Sequence, residues 1–228
     1  ADTATIYSGD EHGLTRISQT NWPHSLGIFY LSATQHLGFG LGDEYKVMGM
    51  SAYGEPRFRD ILRPMLSVSA SGALQQVESE HITLGTIEGT GHLNYKFTEL
   101  LSQVIPPRDS SHPIEQIHFD FAASIQCVTE ELGVVFAKQA MQLTGHKRLS
   151  VAGGVGLNGL MNEAIRRQSG CQDIFIYPAA SDDGTCVGAA QLSLASIKRL
   201  HTSRITACYL GKEFSDEDIC GELSTREL

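Results

Sequence analysis

The run LSVAGGVGLN, Leu149 to Asn158, ends an apolar stretch in glycines at 153, 154 and 156. Adjacent glycines at a strand end let the backbone approach a ligand without a Cβ in the way. A helix that starts just beyond turns its free N–H groups and the positive end of its dipole towards the loop. That arrangement suits a phosphate or another anion. Asn158 adds a carboxamide able to reach a ribose or phosphate oxygen. The pattern is neither G-x-G-x-x-G nor a Walker A sequence, and the same glycines would serve a tight turn that packs a helix on a strand.

A second candidate is SDDG, Ser181 to Gly184, which follows the next apolar run. Carboxylates at the carboxyl end of a strand, beside a phosphate-type loop, suit a divalent cation or a metal-bound phosphate. Asp182 and Asp183 would equally serve as helix caps. Glu44 and Lys46 lie in GDEYKVMGMSAYGEP, residues 42–56, read as an irregular glycine-bracketed loop. Loops concentrate function, and a lysine is a standard partner for an anion, although the two could form a solvated charge pair. His24, ahead of a helical pattern, caps or packs at a helix start. The nine histidines form neither H-E-x-x-H nor H-x-x-x-H, and the five cysteines form no C-x-x-C. A complete metal site is therefore not expected within the chain. The cysteines read as buried or idle thiols of a reducing compartment. No side chain stands out as a general base, so the catalytic residue is left unassigned.

These loops need rigid elements to hold them. Leu149–Ala152 reads as a strand, 159–168 as a helix, and Asp173–Pro178 as a second strand. TCVGAAQLSLASIKRL, from Thr185, reads as a small-residue helix. Strand, loop and helix thus follow one another twice, which argues for α/β architecture with a parallel pair. Ligands in such sheets sit outside the carboxyl ends of the strands. Upstream, TATIYSGDEHGLTRISQT reads as a hairpin turning at Gly9-Asp10 and Gly13. Leu26, Phe29/Tyr30, Ala33 and Leu37 have helical spacing, with Pro23 expected at the first helical position and Gly38 and Gly40 ending the helix. The strongest helix places Phe121/Ala122, Ile125, Val128, Leu132, Val135/Phe136, Gln139 and Leu143 on one stripe, closed by Gly145. Residues 66–95 are rich in serine and glycine and read as a peripheral β insertion. The tail, from 205, reads as a short strand and then a helix capped by Ser215.

The 228 residues suffice for one large domain or two small ones. Lys and Arg number 17 against 26 Asp and Glu, a net charge of −9, which repels phosphate backbones and makes nucleic acid an unexpected partner. No stretch reaches the roughly 18–20 apolar residues of a membrane span, and the N-terminus lacks a signal-peptide pattern. The expected location is cytoplasmic. ADTATIYSGD reads like a strand and turn entered in mid-course, so the chain is expected to be part of a longer polypeptide.

HSLGIFYLSATQHLGF, DEYKVMGMSAYG, FAASIQCVTEELGVVFAKQA, LSVAGGVGLNG, IFIYPAASDDGTCVGAA and YLGKEF, in that order, resemble the O-carbamoyltransferases of nodulation-factor and antibiotic (tobramycin-type) pathways. The resemblance covers most of the chain and is least characteristic over 66–115. It implies the actin-like ATPase fold, shared with sugar kinases, heat-shock-protein ATPases and RNase H-like proteins: a mixed sheet with flanking helices. Residues 1–228 would be the second half of that domain, with 205–228 beginning a linker to a further C-terminal domain. In that family carbamoyl phosphate and ATP give a carbamoyl-adenylate, and the carbamoyl group passes to a hydroxyl of a small-molecule acceptor such as a natural product or sugar. A YrdC-like domain forms the adenylate. The actin-like domain binds the nucleotide and an iron-type divalent metal and performs the transfer.

By that resemblance Gly153, Gly154, Val155 and Asn158 match the nucleotide loop G-G-V-x-x-N, and Asp182 with Gly184 matches D-x-G, whose aspartate is a metal ligand. Glu44 and Lys46 match the E-x-K-V-M-G segment lining the site. Tyr45 replaces the glycine usual between them, and Asp183 replaces a small residue. The family's histidine ligands, the lysine and acids of its first half, and its YrdC-like domain match nothing here. The chain alone is expected to be inactive. Two rival readings are a threonylcarbamoyl-transfer enzyme acting on tRNA, which the acidic balance and KVMGMSAYG disfavour, and a non-catalytic nucleotide-binding module of the same fold.

Overall fold

The computed structural model describes residues 1–86, 93–197 and 211–225. The chain begins with β1 (Asp2–Asp10) and β2 (Gly13–Asn21), an antiparallel hairpin closing at Asp10↔Gly13. The turn holds because Asp10 Oδ1 accepts the N–H groups of His12 and Gly13, and Gly13 supplies a φ of 132°. α1 (Leu26–His36) follows, with the expected Phe29, Ala33 and Leu37 buried. Its start differs from expectation. Ser25, not Pro23, opens the helix, because the Ser25 hydroxyl can accept the otherwise unpaired Ile28 N–H.

The run 42–56 is not the irregular loop its glycines suggested. It forms α2 (Glu44–Met50) and a 3-10 turn over Ser51–Tyr53. Val47 and Met50, three apart, are both buried, and that spacing outweighs the flanking glycines. The segment after it is locked onto a neighbouring long helix. Glu55 N–H and the Gln116 amide both donate to Asp120, and the Arg57 guanidinium lies 3.2 Å from that carboxylate. A Cβ on Gly54 would stand 2.0 Å from Phe119 O, so only glycine permits this approach.

α3 (Arg59–Leu62) leads into β3 (Leu66–Val68) and β4 (Leu74–Gln76), then β5 (Ile82–Thr86) and β6 (Leu93–Phe97). Both pairs are antiparallel. The stretch 66–95 therefore contains β structure, but its first part is seated on the core: Leu66, Leu74 and Ile82 are buried in the cluster that holds Phe29 and Phe121. α4 (Glu99–Val104) precedes α5 (Gln116–Thr144), the 29-residue helix around which the core is built. Phe121, Ile125, Val128 and Leu132 are buried as their spacing predicts, while Val135 and Leu143 are exposed. Gly145 stops α5 in the left-handed conformation at φ 73°.

β7 (Arg148–Val151), α6 (Gly159–Gln168) and β8 (Asp173–Ile176) form the expected strand–helix–strand unit. The strands are parallel, in the register Arg148↔Asp173 to Val151↔Ile176. The architecture is mixed α/β: among the described residues, four two-stranded sheets with flanking helices. Residues Ala1–Gly184 are one compact unit. Thr185–Leu228 are a second, which contains α7 (Thr185–Ile197) and α8 (Asp216–Thr225). Ser215 caps α8 as predicted, exchanging hydrogen bonds with Asp218. The strand expected from 205 lies outside the described residues. No helix among the described residues is long and apolar enough to cross a membrane.

Candidate nucleotide-binding site

β7 runs into Gly153 at φ 98° and ψ 163°, a conformation that essentially only glycine adopts. Gly153 N–H donates to Ala180 O at 2.7 Å, so the loop after β7 is pinned to the loop after β8. The chain then makes a 3-10 turn over Gly154–Leu157 before α6 begins. The glycine loop therefore does not run directly into the helix, as the sequence suggested. The turn intervenes, and its first residues, Gly154 and Val155, keep N–H groups with no partner within the turn. A Cβ on Gly154 would meet Ser181 Oγ at 3.6 Å, and one on Gly156 would meet Ala180 Cβ at 3.4 Å. The two candidate loops thus touch, with little but backbone between them.

The second loop is equally constrained. Asp182–Gly184 forms a 3-10 turn in which Gly184 N–H donates to Ser181 O. A Cβ on Gly184 would lie 2.0 Å from Ala179 O, so position 184 admits only glycine. The turn leaves Asp182 and Asp183 exposed beside the glycine loop. Among the described residues no three His, Cys, Asp or Glu side chains converge into a metal-holding group. The donors present suit one corner of a cation's coordination rather than the whole of it.

Asn158 occupies the N-cap of α6 and accepts the Met161 N–H at 2.9 Å. Its carboxamide also pairs reciprocally with Gln126 of α5: Gln126 Nε2 donates to Asn158 Oδ1 at 3.0 Å, and Asn158 Nδ2 returns a bond to Gln126 Oε1 at 2.9 Å. The Tyr30 hydroxyl donates to the same Gln126 oxygen, and Gln126 Nε2 also donates to Glu130. All four hydrogen-bonding positions of this buried amide are used. Asn158 keeps one amide hydrogen for a ligand, so it offers a donor to an acceptor oxygen.

Glu44 borders this network. Burial foremost, and then the charges of Glu130 and Glu44, hold the Tyr30 phenol well above its ordinary range. Lys46 is engaged elsewhere: its Nζ lies 2.8 Å from Asp43 Oδ1 and 5.5 Å from the centre of the Phe39 ring. The ion pair holds Asp43 below and Lys46 above their usual values. The structure therefore brings Gly153, Gly154, Val155, Asn158 and the Asp182 turn together, places Glu44 at the margin, and ties Lys46 to Asp43. α1 closes the arrangement from the other side, since a Cβ on Gly27 would meet Val155 Cγ2 at 3.2 Å. Sequence reading missed Gln126, Tyr30 and Glu130. The available signal was a glutamine interrupting the apolar stripe of the strongest helix.

Comparison with known proteins matches residues 2–191 to the family described as Carbamoyltransferase N-terminus. An uncharacterised protein of Synechocystis sp. is 34% identical over 226 residues, covering 95% of this chain and 36% of that protein. Nodulation protein NolNO of Sinorhizobium fredii is 36% identical over 167 residues, 73% of this chain and 22% of its own. Nodulation protein NolO of Bradyrhizobium diazoefficiens is 32% identical over 196 residues, 85% of this chain and 33% of its own. The chain spans about a third or less of the length of these relatives.

Proposed function

The chain belongs to the carbamoyltransferase family whose N-terminal region it matches, and from that premise we propose that it forms the nucleotide-binding part of an ATP-dependent O-carbamoyltransferase. The observation that carries the reading is the contact between the two loops. Gly153 N–H bonds Ala180 O, and Gly154 abuts Ser181, so a backbone-lined cradle sits beside an exposed carboxylate at the carboxyl ends of two parallel strands.

In this reading water releases carbamate and phosphate from carbamoyl phosphate, and the carbamate oxygen attacks the α-phosphorus of ATP to give a carbamoyl-adenylate as pyrophosphate leaves. The hydroxyl oxygen of the acceptor attacks the adenylate's carbonyl carbon, the bond from that carbon to the AMP oxygen breaks, and AMP leaves. The acceptor is a small molecule such as a natural product or sugar. The Gly154 and Val155 N–H groups and the uncommitted Asn158 amide hydrogen hold the phosphate and ribose oxygens. Their fixed placement costs no reorganisation as charge develops. The hydroxyl proton leaves to a base for which no residue of this chain is assigned. Asp182 is the chain's contribution to a divalent, iron-type metal, which when bound would neutralise phosphate charge. The remaining metal ligands and the adenylate-forming YrdC-like domain belong elsewhere in the polypeptide. The fold is read as the second half of an actin-like domain, supported by the parallel β7–β8 unit and the order of the matched segments.

The test uses the longer natural polypeptide that contains these residues. Carbamoyl phosphate should stimulate conversion of ATP to AMP and pyrophosphate, and Asp182→Asn should slow carbamoyl transfer to a hydroxyl acceptor by about 100-fold, in keeping with loss of a charge-stabilising group. AMP formation indifferent to carbamoyl phosphate would leave only a nucleotide-binding module.

A further inference from the structure

Ser181 ends the loop after β8, directly ahead of the Asp182–Gly184 turn. A serine in that place ordinarily caps the turn through its side chain. Here the Gly184 N–H goes instead to Ser181 O, at 3.0 Å. The Ser181 hydroxyl makes no hydrogen bond among the described residues, although the residue is half-buried. A polar group so placed needs a partner from water or a ligand.

The hydroxyl lies against the glycine turn. A Cβ built on Gly154 would meet Ser181 Oγ at 3.6 Å and no other atom of the described residues within 4 Å. The space beside the Gly154 backbone is thus open, and an unbonded hydroxyl borders it. The placement is firm. Ala180, the preceding residue, is buried, and its carbonyl accepts the Gly153 N–H at 2.7 Å. Three donors therefore meet where the two loops touch: the N–H groups of Gly154 and Val155, which have no partner within their turn, and the Ser181 O–H.

We propose that Ser181 is a further phosphate-binding residue, whose hydroxyl donates to a non-bridging oxygen of the α-phosphate, the phosphate that the adenylate keeps. The assignment rests on the nucleotide reading of the glycine loop and adds a side-chain donor from the second loop. A neutral donor suits this place. Asp182 and Asp183 follow at once and repel a phosphate, so an anion seated beside them needs a donor on that side. A lysine at 181 would be drawn to those acids, as Lys46 is to Asp43, whereas a hydroxyl does not neutralise Asp182.

Equilibrium dialysis of AMP and of adenosine against the longer natural polypeptide tests this, because the two probes differ only in the phosphate. Ser181→Ala should weaken AMP binding about 10-fold, in keeping with loss of a hydrogen bond to a charged group, and change adenosine binding less than about 2-fold. Ser181→Thr, which keeps the hydroxyl, should restore AMP binding to within about 3-fold of wild type. Thermal unfolding should be the same for all three proteins, since no bond within the protein is removed. Unchanged AMP binding in Ser181→Ala would overturn the proposal. So would an equal loss for adenosine, or a lowered melting temperature, since either makes the hydroxyl structural. Gly154→Val, measured alongside, separates the two levels. Loss of AMP binding there but not in Ser181→Ala removes the serine's role and leaves the nucleotide reading standing; loss in neither sinks both.

Discussion

Gln126 is the residue on which the glycine loop's geometry turns. It fixes which way the Asn158 amide points, because the Tyr30 hydroxyl can only donate to Gln126 Oε1 if the Gln126 nitrogen faces Glu130 and Asn158. Gln126→Leu should therefore cost about 3 kcal/mol in denaturant unfolding, since it strands several buried polar groups. It should also weaken nucleotide binding, whereas a leucine at exposed Gln142 should do neither. His36 supplies a pH dependence. Its ring is half-buried against Phe97 and Phe121, and Nε2 lies 2.7 Å from Ile105 O, which it meets as a donor. Burial lowers its pKa below the ordinary 6.5, so the unfolded chain takes up the proton first. Its contribution to stability is complete above 6.5 and is lost as pH falls through the depressed folded value. Urea unfolding at pH 7.5 and at pH 5 should show that loss, and His36→Gln should reduce it. Gly153 was legible in the sequence because its φ of 98° leaves few other choices. Gln126 was not, because a single polar residue in an apolar stripe does not reveal its partners on other elements.

At the scale of elements, α5 and α6 cross closely enough that a Cβ on Gly133 would stand 2.5 Å from Met161 Cγ. The approach holds α6, and with it the Asn158 cap, against the core. Gly133→Ala should cost about 2 kcal/mol through overpacking. Combined with Met161→Ala it should cost less than the two single changes together, a positive coupling readable in a double-mutant cycle. α5, the β1–β2 hairpin and the β7–α6–β8 unit could all be read from periodicity, turn residues and caps, because each satisfies its own backbone locally. α2 could not, since its glycines and charges resemble a loop until Val47 and Met50 find α5. Residues 66–95 likewise read as peripheral by composition, while Leu66 and Leu74 within them prove to be core members. Whether a short strand covers a core depends on contacts distant in sequence.

At the scale of the whole molecule, the α/β class followed from the alternation of strands and helices. The pairing of sheets did not, because among the described residues β1 bonds only β2 and β7 only β8. The net charge of −9 fits a small-molecule substrate better than a nucleic-acid backbone, and a local cradle for phosphate must then be built from backbone N–H groups rather than from a basic surface. Gly154 is the position at which that claim can be separated from folding. A Cβ there meets only Ser181 Oγ at an ordinary 3.6 Å, and the backbone needs no positive φ, so a side chain is tolerated by the fold but fills the space between the two loops. The most direct measurement is calorimetric titration of ATP into the longer natural polypeptide, wild type and Gly154→Val, with thermal unfolding of both. The account predicts an unchanged melting temperature and at least about 10-fold weaker ATP binding in the variant, or roughly 1.4 kcal/mol. Equal affinities with equal stability would place the nucleotide elsewhere and contradict it.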